Sequence, residues 1–123
     1  MSDEAWFKID ATPDFLRVET FGQRSGEASE ELWRAVSKAS VESGSKKVLV
    51  VSYRDGTLPI DSMETIAKDY HELVTGEHKF ALVLTGKDYE RESIGETVAQ
   101  SSGINLRAFR NTDTALRWLQ SDE

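Results

Sequence analysis

The sequence contains no cysteine and few prolines or histidines. Without a thiol there can be no disulfide, no thiolate metal site and no cysteine nucleophile, which fits a reducing compartment. The 123 residues include two prolines and two histidines. Neither His71 nor His78 has a second histidine or a carboxylate at metal-binding helical spacing, so the expected roles are a helix-edge residue and a loop residue. We predict no metal and no cofactor.

Long apolar runs and an excess of positive charge are also missing. The opening residues MSDEAWFKID carry acids where a secretory signal begins with basic residues, and no run approaches a membrane span. We therefore expect a cytoplasmic protein. The net charge of −7 opposes binding to a polyanion, so nucleic acid is not an expected partner. A local basic patch can still contact an anionic lipid, which leaves peripheral membrane contact open.

The length and the hydrophobic periodicity predict one domain spanning residues 1–123. Residues 6–10 and 15–21 alternate in polarity around ATPD, which predicts an antiparallel hairpin. VLVVS from Val48 and FALVLT from Phe80 are apolar at consecutive positions, as in strands that are covered on both faces. The segment INLRAF from Ile104 predicts a last strand.

Four segments show helical spacing instead. The first runs from Ser25 to about Ser43, with Gly44 as its end, and the second carries Met63, Ile66 and Ala67 and ends near residues 75–76. The third covers residues 88–102, and a short helix follows a cap at Asn111, Thr112 or Asp113. The alternation of strands and helices predicts an α/β fold with a mostly parallel sheet.

No motif in the sequence supports catalysis. TGKD, residues 85–88, follows a strand, but the earlier glycine that a phosphate loop needs is missing, and Asp88 stands where the hydroxyl residue should follow the lysine. A nucleophile elbow is missing too. We therefore predict that the protein is not an enzyme.

The ends of the two apolar strands are the best candidates for a binding site. Ligands of parallel sheets tend to bind beyond the carboxyl ends of the strands. These ends carry Tyr53 and Arg54 on one strand and Thr85 and Lys87 on the other. Arg54 and Lys87 suit an anionic head group and Tyr53 suits an apolar body, although ordinary loop residues are the alternative that position alone favours for all four.

Three stretches of the chain resemble a known family: VLVVSYRDG, FALVLTG and above all the ending GINLRAFRNTDTALRWL. The chain resembles the SpoIIAA-like branch of the STAS domains, the superfamily of bacterial anti-sigma-factor antagonists, over nearly its whole length. The resemblance implies a four- to five-stranded mixed sheet with an N-terminal hairpin and about four helices packed mainly on one face. It also implies a non-catalytic binding or interaction module, in a branch similar in shape to lipid-binding domains.

The resemblance also draws attention to Ser62. The signalling antagonists carry Asp-Ser, then Ser or Thr, then Gly, and their serine accepts a regulatory phosphate. Asp61 and Ser62 match the first two positions, whereas Met63 and Glu64 replace the others. Residues 58–65, LPIDSMET, also predict a capping box, with Asp61 as the cap and Glu64 three residues later.

Two hypotheses follow from these observations. The first is a STAS-like module that binds a small apolar or amphipathic, lipid-like ligand, or docks on a partner protein. The second is a phosphorylation-switched antagonist that uses Ser62. A homodimer is open as well, because an exposed Trp6 or Trp118 can mark an apolar contact surface.

Overall fold

The computed structural model describes residues 5–56, 58–70, 78–86 and 89–121. Its elements follow the predicted alternation of strands and helices. They are β1 (Trp6–Ala11), β2 (Leu16–Phe21), α1 (Gly26–Ser43), β3 (Lys47–Ser52), α2 (Ile60–Tyr70), β4 (Lys79–Leu84), α3 (Tyr89–Glu92), α4 (Ile94–Ser101), β5 (Leu106–Phe109) and α5 (Thr112–Leu119). The N-terminal hairpin and the two apolar strands are confirmed.

The five strands form one sheet in chain order, from β1 to β5. β1 pairs antiparallel with β2, and the remaining strands are parallel. Parallel neighbours need a crossover, and a helical segment follows each of β2, β3 and β4. The mixed α/β sheet that was predicted is therefore confirmed.

Strand alternation divides the core into two layers. Val48, Val50 and Phe80 point to one face, where they pack with residues of α1 and α4. Leu49, Val51 and Val83 point to the other face, where α5 covers them. The central strands are apolar at consecutive positions because both of their faces are covered.

Capping residues define the start and end of α1 and the start of α5. The Ser25 hydroxyl accepts a hydrogen bond from the Ala28 amide at the start of α1, and Gly44 ends this helix with a φ of 73°. Asn111 is the cap of α5, since its side chain accepts from the Thr114 amide. These caps stabilise a helix by on the order of 1 kcal/mol.

The predicted cap of α2 is wrong. The helix begins at Ile60, and the Pro59 carbonyl accepts from the Ser62 and Met63 amides at 3.0 and 3.2 Å. Asp61 therefore lies inside the first turn and cannot be the N-cap. Proline has no amide hydrogen to lose at a helix start, which lets the helix begin before Asp61. The predicted end of α2 near residues 75–76 lies outside the described residues.

The helix predicted over residues 88–102 is divided at Ser93. The Ser93 hydroxyl donates to the Glu90 carbonyl at 3.0 Å, and α4 begins at the next residue. A serine that bonds nearby backbone competes with helix continuation, and Gly95 adds a weak helix former directly afterwards. The predicted cap residue Asp88 lies outside the described residues.

The expectation that Trp118 is exposed is also wrong. Its side chain is 8% exposed, because α5 lays it against the sheet. The Phe109 ring and the Lys79 ammonium contact the indole, with a distance of 4.4 Å from Lys79 Nζ to the ring centroid. Trp6 remains half exposed.

Candidate functional site

A cavity lies between the sheet and the helices on the face that α1, α2 and α4 cover. Its volume is about 150 Å³. The floor is formed by side chains of β2, β3, β4 and β5, and the roof by α1, α2 and α4. The apolar lining includes Leu32, Trp33, Val50, Met63, Ile66, Ala67, Phe80, Leu82, Val98, Ala99 and Leu106.

Small residues on α2 and α4 leave this space open. Ala67, Ala99 and Gly95 line the cavity where the two helices pack beside each other. A Cβ added at Gly95 would meet the Met63 sulfur at 3.9 Å, an ordinary van der Waals distance. These three positions of α2 and α4 therefore contribute little side-chain volume to the cavity.

One end of the cavity is polar. Thr20 and Ser52 are paired in the last positions of the β2–β3 register, and both line the cavity. Arg24 lies in the connection from β2 to α1 and donates to the Ser52 hydroxyl at 2.9 Å and to the Gly56 carbonyl. The polar end therefore lies at the carboxyl ends of two parallel strands.

Arg54 is the most unusual residue of this end. Its side chain lines the cavity and is 4% exposed. Within the described part of the chain, its guanidinium makes one hydrogen bond, from Nε to the Phe21 carbonyl at 3.2 Å, and no ion pair. Burial lowers the pKa of Arg54 from its usual value, Arg24 lowers it further, and Glu31 raises it.

The charge of Arg54 is consequently poorly compensated. Guanidinium stays protonated at any ordinary pH, so a lowered pKa reports an unfavourable environment for the cation rather than a neutral side chain. A buried charge without a partner is costly, and an anion placed against its terminal amino groups would relieve that cost. The cavity thus offers an apolar body and a cationic end.

The other predicted site residues lie elsewhere. Tyr53 points to the opposite sheet face, where its ring stacks on Phe21 with 5.2 Å between centroids, and Phe21 in turn stacks on Trp6 at 4.1 Å. Thr85 is exposed and donates to the Ser52 carbonyl at 2.7 Å. Lys87 lies outside the described residues. Of the four predicted ligand residues, the structure places Arg54 in the cavity.

Ser62 lies in the first turn of α2, next to the start of α1. Its hydroxyl oxygen is 3.2 Å from the position that a Cβ on Gly26 would occupy. The Ser62 side chain is partly exposed. The hydroxyl therefore lies where the N-terminal ends of two helices meet.

The two predicted histidine roles have different outcomes. His78 precedes β4 as expected, yet it is buried, with Nε2 at 3.0 Å from the Ser40 hydroxyl. That hydroxyl donates to the Ser45 carbonyl at 2.6 Å, so it accepts from His78. His71 lies outside the described residues. Among the described residues no group of three or more histidines, aspartates or glutamates could hold a metal ion.

Sequence reasoning missed Arg24 and the cavity lining of α4. Arg24 follows the carboxyl end of β2, whereas the predicted site comprises the ends of β3 and β4, the two strands that are apolar at consecutive positions. The signal for Gly95 was present as a glycine inside a helical pattern, which often marks a close approach or a gap.

Comparison with solved structures identifies the fold. The chain matches the crystal structure of an anti-sigma factor antagonist from Mycobacterium paratuberculosis with a TM-score of 0.69, over 98% of each chain and at 15% identity. The chain has a STAS-like fold. No family model matches the sequence, and no curated protein does either. In the described part of this STAS-like chain, no helix is long and apolar enough to cross a membrane.

Proposed function

We propose that this STAS-like protein is a non-catalytic binding module whose cavity takes a small amphipathic anion. The observation that carries the proposal is the buried guanidinium of Arg54 at one end of an apolar cavity. An acidic group would bind the terminal amino groups of Arg54, with Arg24 beside it. The apolar part of the ligand would lie among Val50, Phe80 and Val98.

The size of the cavity limits the ligand. An engineered apolar cavity of similar volume, about 150 Å³, accommodates benzene. We therefore expect a compact body, such as an aromatic ring or a short alkyl chain, attached to a carboxylate. A long acyl chain would have to extend beyond the cavity or displace the helices that cover it.

The test is a panel of short aliphatic and aromatic carboxylates, each paired with its neutral primary amide. Binding is measured by calorimetry and by the rise in melting temperature. A ligand at a hundred times its dissociation constant stabilises the folded state by about 2.7 kcal/mol. We expect at least one carboxylate to bind and its amide to bind at least about tenfold more weakly, since removing the charge leaves the guanidinium uncompensated.

Two variants locate the bound molecule. Arg54→Met should remove the preference for carboxylate over amide, and Arg54→Lys should restore part of it by restoring the charge. Gly95→Leu should weaken binding of both molecules, because the new side chain occupies the cavity. Arg117→Met is the matched control, since Arg117 is an exposed arginine on α5 across the sheet. A panel without any binder, or an unchanged preference in Arg54→Met, would refute the proposal.

A signalling role through Ser62 is the second candidate. The fold matches that of an anti-sigma factor antagonist, and Ser62 lies at a meeting point of two helix N-termini, where a phosphate is electrostatically favoured. Glu64 one residue beyond Met63 opposes it by adding negative charge. Mass spectrometry of the protein purified from its own cells tests the role. Phosphate on the peptide that contains Ser62 would support it, and unmodified peptide under every growth condition would rule it out.

A further inference from the structure

At alternate residues of β1, the backbone hydrogen-bonding groups point toward the outer edge of the sheet. β1 is an edge strand of the sheet. The Thr12 amide donates to the Phe15 carbonyl at 2.9 Å in the hairpin, so Thr12 points toward β2. Backbone groups alternate in direction along an antiparallel strand. Those of Phe7, Ile9 and Ala11 therefore point away from β2.

An independent contact gives the same alternation. The Thr20 carbonyl accepts from the Tyr53 amide at 2.8 Å, so it points toward β3 and away from β1. Thr20 is the register partner of Phe7. Phe7 is consequently in a non-hydrogen-bonded pair with β2, and its own amide and carbonyl point outward.

The opposite edge of the sheet is already covered by side chains. Glu96 accepts from the Ala108 amide of β5 at 2.5 Å, and Gln100 donates to the Leu106 carbonyl at 2.9 Å. Both residues belong to α4. They use backbone groups to which another strand would bind, so β5 is protected. Within the described residues no side chain bonds the outward backbone groups of β1, and β1 is the edge that can accept a partner.

We propose that two copies of this chain pair β1 with β1 in antiparallel orientation about a twofold axis at Ile9. Ile9 of one copy would then face Ile9 of the second copy, and Phe7 would face Ala11. All these residues direct their backbone groups outward, so each pair exchanges both of its hydrogen bonds. The result is a continuous sheet through the two hairpins.

Charge selects this register over its neighbours. An axis at Ile9 places Lys8 of each copy opposite Asp10 of the other, in a non-hydrogen-bonded pair where side chains are closest. An axis at Lys8 would place Lys8 opposite itself, and an axis at Asp10 would place Asp10 opposite itself. Like charges directly opposite each other are destabilising.

The charges of β2 extend the same pattern. Within one chain, Lys8 is paired with Glu19 and Asp10 with Arg17. Four charged side chains would therefore lie in one row across the dimer interface. Arg17 and Asp10 come from one copy and Lys8 and Glu19 from the second, so the sign of the charge alternates from each strand to the next. This row occupies the sheet face opposite α1, on the part where Trp6 is exposed. A second copy of the chain is thus the partner that the edge complements.

The oligomeric state of the full chain tests this proposal through size-exclusion chromatography with light scattering and native mass spectrometry. We expect a dimer whose fraction rises with protein concentration. Ile9→Pro removes an outward amide hydrogen without removing a bond to β2, so the variant should fold and be monomeric. Lys38→Glu, a charge reversal at an exposed position of α1, is the control and should leave the dimer intact.

A pair of charge reversals separates the interface from any effect on folding. Lys8→Glu and Asp10→Lys each place like charges across the axis, so each variant alone should be monomeric. When the two variants are mixed, position 8 of each copy faces an opposite charge at position 10 of the other copy. The mixture should therefore form a heterodimer with one copy of each variant. A monomeric wild type, a dimeric Ile9→Pro variant, or a mixture without the heterodimer would overturn the proposal.

Discussion

Lys79 shows how a charged side chain can be accommodated inside this core. It is 7% exposed at the start of β4. Its ammonium donates to the carbonyls of Trp118 and Ser121 at 2.7 and 3.0 Å, and it lies over the Trp118 ring. The carbonyls at the C-terminal end of a helix carry partial negative charge, so this cation binds the end of α5.

We predict that Lys79→Met lowers the free energy of unfolding by about 1.5–3 kcal/mol, the usual range for hydrogen bonds that involve a charged group. Urea denaturation followed by circular dichroism measures the change. Lys47→Met is the matched control, because Lys47 is the register partner of Lys79 on β3 and is only partly buried. Equal losses in the two variants would show that the contacts with α5 contribute little.

Arg54 presents the contrasting situation at the residue scale. Lys79 has the end of a helix to neutralise its charge, whereas Arg54 has an Arg24 neighbour that makes its environment more positive. Both side chains are buried cations. The charge of Lys79 is compensated by carbonyls at the end of α5, whereas Arg54 lines a cavity. That difference distinguishes a structural cation from a candidate ligand contact.

At the element scale, two glycines have opposite roles. Gly95 lies in α4 with helical backbone and with room for a methyl group 3.9 Å from the Met63 sulfur. Gly44 ends α1 with a φ of 73°, a conformation that side chains disfavour. The same substitution should therefore change stability in opposite directions at the two positions.

We predict that Gly95→Ala raises the free energy of unfolding by about 0.4–1 kcal/mol, the usual gain where alanine can adopt the backbone conformation of a glycine. Gly44→Ala should lower it by roughly 1–2 kcal/mol, the cost of a left-handed residue with a side chain. Nothing lies within 4 Å of a Cβ at Gly44, so that loss would come from backbone strain alone. Thermal denaturation of both variants measures the signs, and a loss of stability in Gly95→Ala would contradict the first prediction.

The elements themselves were largely predictable from local signals. Ser25 and Gly44 bound α1 as expected because capping chemistry needs only neighbouring backbone groups. The division at Ser93 and the start of α2 before Asp61 were missed. In both places two local preferences compete. Pro59 rather than Asp61 precedes the first turn of α2, and the Ser93 hydroxyl bonds the Glu90 carbonyl where a continuous helix was predicted.

At the scale of the whole molecule, the cavity results from how three helices cover one sheet face. α1 and α4 bury the even-numbered residues of the central strands, while small residues on α2 and α4 leave the gap. Native interiors are packed nearly as densely as organic crystals, so an open apolar space of this size calls for an explanation. Binding of a ligand supplies one.

The candidate site was predictable only in part. Its general position, at the carboxyl ends of parallel strands, and the involvement of Arg54 follow from the order of the elements. Tyr53, the next residue along the chain, points to the other sheet face because strand side chains alternate. A prediction that groups sequence neighbours at a strand end therefore joins residues that lie on opposite sides of the sheet.

The sequence by itself determined the hairpin, the apolar central strands, both ends of α1, the start of α5 and hence the α/β fold, since these depend on periodicity and short-range capping. Tertiary structure alone decided that Trp118 is buried, that Arg54 and Arg24 share the end of a cavity, and that side chains of α4 cover the outer edge of β5. The physical reason is that burial, compensation of charge and exposure of an edge depend on residues distant in the chain, which meet only when the helices pack on the sheet.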